Sequence, residues 1–149
     1  MNILEFTLGS QMFCIDASDV LQVIMYKEPL KIPTTSTSVE GIIRVRDQTV
    51  LLINLHTLLG IEQKIPDKDT VIVTCDLDNE LIALRVTSSG PLRSIEDELC
   101  KDMPALLTNN PYAKKVIKFP SYLSTMLDLQ KITSMWRKEY AILCNETQN

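Results

Sequence analysis

Apolar positions recur at every second residue along most of the chain. In the segment ILEFTLGSQMFCIDA, Leu4, Phe6 and Leu8 share one face while Glu5 and Thr7 take the other. After Gly9-Ser10-Gln11 the alternation resumes with Phe13, Ile15 and Ala17. Period two on both sides of a short glycine-containing turn predicts a β-hairpin. Ser18-Asp19 is placed to cap a short helical turn leading into VLQVIM, a run whose period fits helix or strand. The stretch KEPLKIPTTSTSVEG is rich in Pro, Ser and Thr and reads as a loop.

Residues 41–60, GIIRVRDQTVLLINLHTLLG, predict a second hairpin. Ile43 and Val45 fall on one face of its first strand, and Ile42, Arg44 and Arg46 on the other. The return strand is apolar on both faces, the pattern of a strand covered on both sides, as at a junction of two packed units. Gly60 ends the run, and the polar segment around Pro66, residues 61–69, reads as a linker. TVIVTCDL and ELIALRV form a third hairpin about Asp78-Asn79. Gly90-Pro91 reads as a break. SIEDELCKDMPALL is mixed, a strand end with a short helix or loop. KKVIKF and YLSTMLDL form a last strand pair through Pro120-Ser121. In LQKITSMWRKEYAIL, Ile132, Met135, Trp136, Tyr140 and Leu143 stand at helical spacing and predict a C-terminal amphipathic helix. The expected architecture is therefore mostly β: two small barrels packed side by side with a C-terminal α-helix, the hairpins divided into two groups before and after the linker.

Composition narrows the function. The 149 residues suit one domain, and 45% hydrophobic with 23% charged residues is enough to build a core. A formal net charge of −4 is the opposite of a nucleic-acid footprint. The N-terminus has no basic region and carries Glu5 within its apolar run, unlike a signal peptide, and no apolar run is long enough to span a bilayer. A cytoplasmic protein is expected. Cys14, Cys75, Cys100 and Cys144 are far apart in sequence, which excludes close-pair zinc and redox motifs and leaves buried free thiols as the reading.

Candidate chemistry is sparse. The acids of Asp76-Leu-Asp78-Asn79-Glu80 start like a calcium loop but lack its glycine and lie between strands, so a solvated turn is the reading. His56, the single histidine, has no companion ligand and reads as structural. Ser88-Ser89-Gly90 lacks the nucleophile-elbow pattern. Lys114, Lys115 and Lys118 form a small basic cluster beside Phe119 and Tyr112, better read as a solvated strand face than as a base-stacking platform. No nucleophile, base and orienting group assemble, so no catalytic residue, cofactor or metal ligand is assigned. What remains distinctive is the charged turn at Arg44, Arg46 and Asp47 between two apolar strands.

From about Ile3 to Ile132 the sequence resembles the CheW-like domain of bacterial chemotaxis. EFTLGSQMFCIDASDVLQVI is similar to the family's opening, GIIRVRD to its G-v-x-N-L-R-G signature, LLINL to its P-V-I-D-L, TVIVT and LIALRV to its paired later strands, Met103-Pro104 to a Leu-Pro position and MLDLQKI to its closing ILDLEKIL. Arg46 keeps the signature arginine. Arg44 stands for the family's Asn, Val45 for Leu, Asp47 for the second Gly, Asn54 for Asp and Thr87 for another Asp. The resemblance implies a single CheW-like domain over residues 1–149, built of two SH3-like barrels. It also implies a non-enzymatic adaptor that couples methyl-accepting chemotaxis receptors to the regulatory domain of a histidine autokinase. A receptor tip would dock in an apolar groove between the barrels, and the kinase would contact barrel ends. By position, Val20 falls in the groove and Gly41, Val45, Arg46 and Asp47 at or near interface loops; Arg44, which the family does not share, joins the partner-binding candidates because it lies on the same strand face as Ile42 and Arg46. The expected location is the cytoplasm, at membrane-associated receptor arrays, without membrane insertion or nucleic acid. The alternatives are a family paralogue serving another signalling array, a nucleic-acid-binding β-barrel, and a hydrolase using Cys14 or His56.

Overall fold

The computed structural model describes residues 1–33, 37–63, 65–104 and 110–134. Among the described residues, eleven strands form two sheets. β1 (Asn2–Leu8) and β2 (Gln11–Asp16) are the first hairpin, with Phe6 opposite Phe13. A 3-10 turn, Ala17–Asp19, is capped by the Asp16 carboxylate, which accepts from the Ser18 amide at 3.0 Å. The ambiguous run that follows is a strand, β3 (Val20–Met25). β4 (Val39–Val45) and β5 (Gln48–Asn54) form the second hairpin, followed by a short helix, α1 (Leu55–Leu59). Asn54 caps α1, and Gly60 ends it in the left-handed conformation at φ +71°. β6 (Val71–Leu77) and β7 (Glu80–Val86) are the third hairpin. β8 (Ser88–Ser94), β9 (Cys100–Asp102), β10 (Ala113–Lys118) and β11 (Leu123–Leu127) complete the set. Residues 129–134 are helical, with the Asp128 carboxylate accepting from the Lys131 amide. Met135, Trp136, Tyr140, Leu143 and Cys144 lie outside the described residues.

The strand order is β8-β1-β2-β11-β10-β9 in one sheet and β3-β6-β7-β5-β4 in the other. The expected grouping of hairpins on either side of residues 61–69 does not match these sheets. β6 and β7 lie after that segment yet pair with β3 and β5, and β8 to β11 return to β1 and β2. Parallel pairings of β5 with β7 and β2 with β11 hold the returning strands in place. Such contacts leave no local trace in a sequence. The chain crosses between sheets at Ala17–Asp19 and again at Thr87.

Residues 88–94 also differ from expectation. The Gly90-Pro91 break sits inside β8, an edge strand where proline's missing N–H costs no ladder bond. Opposite it the β1–β8 register shifts between Leu4 and Phe6, so the extra residue is taken up as a bulge.

Alternation along the strands builds three apolar clusters. Ile3, Cys14, Ile117, Phe119 and Met126 belong to the six-stranded unit. Ile43, Val45, Val50, Leu52, Ile72 and Ala83 belong to the five-stranded unit. The largest cluster joins the two, with Leu4, Phe6, Leu8 and Ile15 from one sheet meeting Ile53, Val73, Leu84 and Val86 from the other, and Ile132 from the last helix. The doubly apolar β5 is explained: Val50 and Leu52 face the inside of their own unit, and Ile53 faces the junction. Glu5 points into the six-stranded unit, where its buried carboxylate accepts from Arg93 at 2.8 Å and from the Tyr122 hydroxyl at 3.0 Å.

Candidate functional site

The β4–β5 hairpin closes on a two-residue turn. Arg46 and Asp47 both have positive φ, +49° and +63°, and Val45 pairs with Gln48. Two left-handed residues give the twist that a tight hairpin needs, but a non-glycine residue there is strained by about 1–2 kcal/mol. Arg44 offsets part of this strain, as its Nη2 donates to the Asp47 carbonyl at 3.2 Å. The Lys27 ammonium in turn donates to the Arg44 carbonyl at 3.1 Å. Arg44, Arg46 and Asp47 are all exposed. Among the described residues, the Arg46 side chain makes no hydrogen bond or ion pair.

Gly41 and Val45 serve the hairpin from within. Val45 is buried in the five-stranded unit's own core. Gly41 is buried at φ +152°, and a Cβ there would lie 2.2 Å from the Leu30 carbonyl oxygen. The close approach is required because Leu30 and Ile42 exchange two backbone hydrogen bonds, at 2.9 and 2.8 Å. Gly41 has no side chain and that of Val45 is buried, so both lie at the base of the turn, beneath its exposed tip. Their effect on any contact passes through the shape of the hairpin.

Val20 is half-buried against the inter-unit cluster, opposite Cys75. Further along β3, Val23 pairs with Val73 and Met25 with Val71, and they are 40% and 80% exposed. Val73 belongs to the inter-unit cluster and Val71 packs against it. Cross-strand partners share a face, so Val20, Val23 and Met25 extend that core outward as an apolar strip. The sequence singles out Val20 on this strip but not Val23 or Met25. The unsettled helix-or-strand assignment hid them, since only a strand puts Val23 and Met25 on one face.

A polar network crosses the junction. The Asn54 amide nitrogen donates to Glu40 at 3.0 Å and also to Gln63. Its carbonyl oxygen is then the acceptor for the His56 backbone amide at 3.0 Å and for His56 Nδ1 at 3.2 Å. The imidazole proton therefore sits on Nδ1, and Nε2 accepts from the Thr87 hydroxyl at 2.6 Å. Thr87 Oγ1 accepts the Gly9 amide at 2.9 Å. At the other end Arg85 pairs with Glu40 and lies 5.1 Å from the centre of the Tyr26 ring. Burial first, and then the Arg85 charge, hold the His56 pKa below its ordinary value. A neutral, doubly bonded imidazole flanked by an amide and a threonine is a structural bridge between the sheets. Burial also pushes the Cys14 and Cys75 thiols up to about 12, the opposite of an activated nucleophile. Among the described residues no group of three or more His, Cys, Asp or Glu side chains could hold a metal ion, and no helix is long and apolar enough to cross a membrane.

The sequence model of the CheW-like domain matches residues 2–135. A probable chemotaxis protein CheW of Rhizobium etli is 19% identical over 141 residues, covering 93% of this chain and 91% of that protein. The chemotaxis protein CheW of Thermotoga maritima is 28% identical over 135 residues, covering 87% and 85%. The crystal structure of the scaffolding protein TtCheW from Thermoanaerobacter tengcongensis superposes with a TM-score of 0.79 at 23% identity, covering 85% of this chain and 87% of that one.

Proposed function

The chain belongs to the CheW-like domain family and is a chemotaxis coupling adaptor, and we propose that it works by presenting two separate surfaces and no chemistry of its own. The first surface is the strip Val20, Val23 and Met25. It takes the helical cytoplasmic tip of a methyl-accepting receptor. The second is the β4–β5 tip with Arg46. It takes the regulatory domain of a histidine autokinase. Work in the cytoplasm, at receptor arrays, follows from these partners.

The observation that carries this reading is the apolar strip. An 80% exposed Met25 beside a 40% exposed Val23, continuous with a core shared by two sheets, is costly to leave in water. Fully burying an exposed side chain of this size is worth about 1.5–3 kcal/mol, of which covering Met25 returns most and covering Val23 less than half. A helix with apolar residues at i, i+3 and i+4 is the shape that lays an apolar face along a strip of this kind. The exposed arginine supplies the complementary chemistry at the tip: a planar fork of donors, enriched at binding hot spots.

A second reading within the family, service to a different signalling array, is favoured by Arg44 and Asp47, which depart from the family signature at the contact turn. Titration of the purified protein with a receptor signalling fragment, and separately with the autokinase regulatory domain, tests both. Binding to each is expected. Failure of a folded protein to bind the chemotaxis partners, with binding to those of another array, would move the assignment to the second reading.

A further inference from the structure

We infer that the β4–β5 end of the five-stranded unit is built to dock a carboxylate-bearing protein face, with Arg44 as its specificity-determining residue. This deepens the adaptor reading and rests on it, the occupant being the autokinase regulatory domain.

In a chain of net charge −4, three exposed cations gather at one place. Lys27 and Arg44 are joined through the Arg44 carbonyl, and Arg44 reaches across the turn that carries Arg46. Elsewhere Arg85, Arg93 and Lys115 are each paired with a carboxylate, Glu40, Glu5 and Asp102 respectively. Among the described residues none of Lys27, Arg44 and Arg46 is in an ion pair. Arg44 spends only one donor on Asp47, so most of its fork is left, and that one bond fixes where the fork stands. Preordering of this kind lowers the entropy lost on binding.

Beside the cations lies an apolar element. Leu30 is 69% exposed and is fixed by its two backbone bonds to Ile42. The same Leu30 contact covers the outer edge of β4 at Ile42, and the Lys27 ammonium covers the Arg44 carbonyl two residues on. An incoming strand cannot add to that edge. Recognition there proceeds through side chains: an apolar centre at Leu30 with a cationic rim, matched by an apolar patch edged with Asp or Glu.

The test is binding of the purified autokinase regulatory domain across a range of salt concentrations, to the unaltered protein and to Arg44→Glu, Arg44→Lys and Lys27→Glu. Expected are an association rate for the unaltered protein that falls about tenfold from low to high salt, an affinity loss of about tenfold or more in both Glu variants, and a salt dependence kept by Arg44→Lys. Reversal of one carboxylate on the kinase domain should rescue Arg44→Glu. Lys27→Glu leaves the Arg44–Asp47 bond intact but removes the Lys27 bond to the Arg44 carbonyl, so its affinity loss is read at an unfolding midpoint equal to the parent's, and a loss that tracks a lowered midpoint overturns the role given to Lys27. Binding by the unaltered protein that ignores salt and both Glu variants overturns this inference alone. Absence of any binding by the folded, unaltered protein overturns the adaptor reading and this inference with it.

Discussion

His56 and Thr87, 31 residues apart, meet at 2.6 Å across the junction of the two sheets. Thr87 lies where the chain passes from β7 to β8, and its hydroxyl oxygen also accepts from Gly9 in the β1–β2 turn. One histidine thus ties α1 to the first hairpin of the other sheet, and it does so as a neutral ring.

Neutrality makes the bridge pH-sensitive. The folded His56 pKa lies below its unfolded value, so the unfolded chain binds the proton more readily. The stabilisation is complete above the unfolded value of about 6.5 and is lost as the pH falls below it toward the folded pKa. Denaturant unfolding of the protein and of His56→Gln at matched pH values should show a stability difference that narrows from about pH 8 to pH 5. A difference that stays constant would show that His56 does not carry the effect.

Asn54 stands where an aspartate occurs in the family signature, and its amide nitrogen is the donor to Glu40. Asn54→Asp would replace that donor with a carboxylate facing another carboxylate in a buried site. A loss of about 2–3 kcal/mol is expected in chemical unfolding at neutral pH. A variant as stable as the parent would mean that Arg85 alone satisfies both acids.

Gly41 cannot accept a side chain, because a Cβ would collide with backbone rather than with a mobile side-chain end. Gly41→Ala should lower the melting temperature sharply and weaken both binding surfaces together. A stable variant that binds its partners normally would refute the account of the Leu30–Ile42 contact.

Asp47 carries a φ of +63° that glycine adopts without strain. Asp47→Gly should raise stability by about 1 kcal/mol, read as a shift in urea midpoint with an unchanged slope. Destabilisation would show that the Asp47 side chain supports the turn more than its backbone strains it.

The hairpins were legible because each alternates about a marked turn: Gly9-Ser10, Arg46-Asp47 and Asp78-Asn79. The doubly apolar β5 correctly announced a junction. The way the strands divide between sheets was not legible, because β2–β11 and β5–β7 are parallel pairings between distant segments. β8 was hidden by Pro91, which signals a break everywhere except at an edge. Glu5 alternated as a solvent-facing residue would, yet faces Arg93 and Tyr122 inside a barrel-like unit. At the site, the exposed tip residues Arg44, Arg46 and Asp47 could be read from sequence. The exposed strip could not, since Val23 and Met25 look like core residues until their strand neighbours are known.

Coupling demands that both surfaces be used at once, and the most direct measurement is sedimentation of the protein with a receptor signalling fragment and the autokinase regulatory domain together. A single species containing all three is predicted. Met25→Asp should release only the receptor fragment. Arg46→Glu should release only the kinase domain, at a cost of about 2 kcal/mol or roughly thirtyfold in affinity, with thermal unfolding nearly unchanged. Mutually exclusive binding of the two partners by a folded protein would contradict the account.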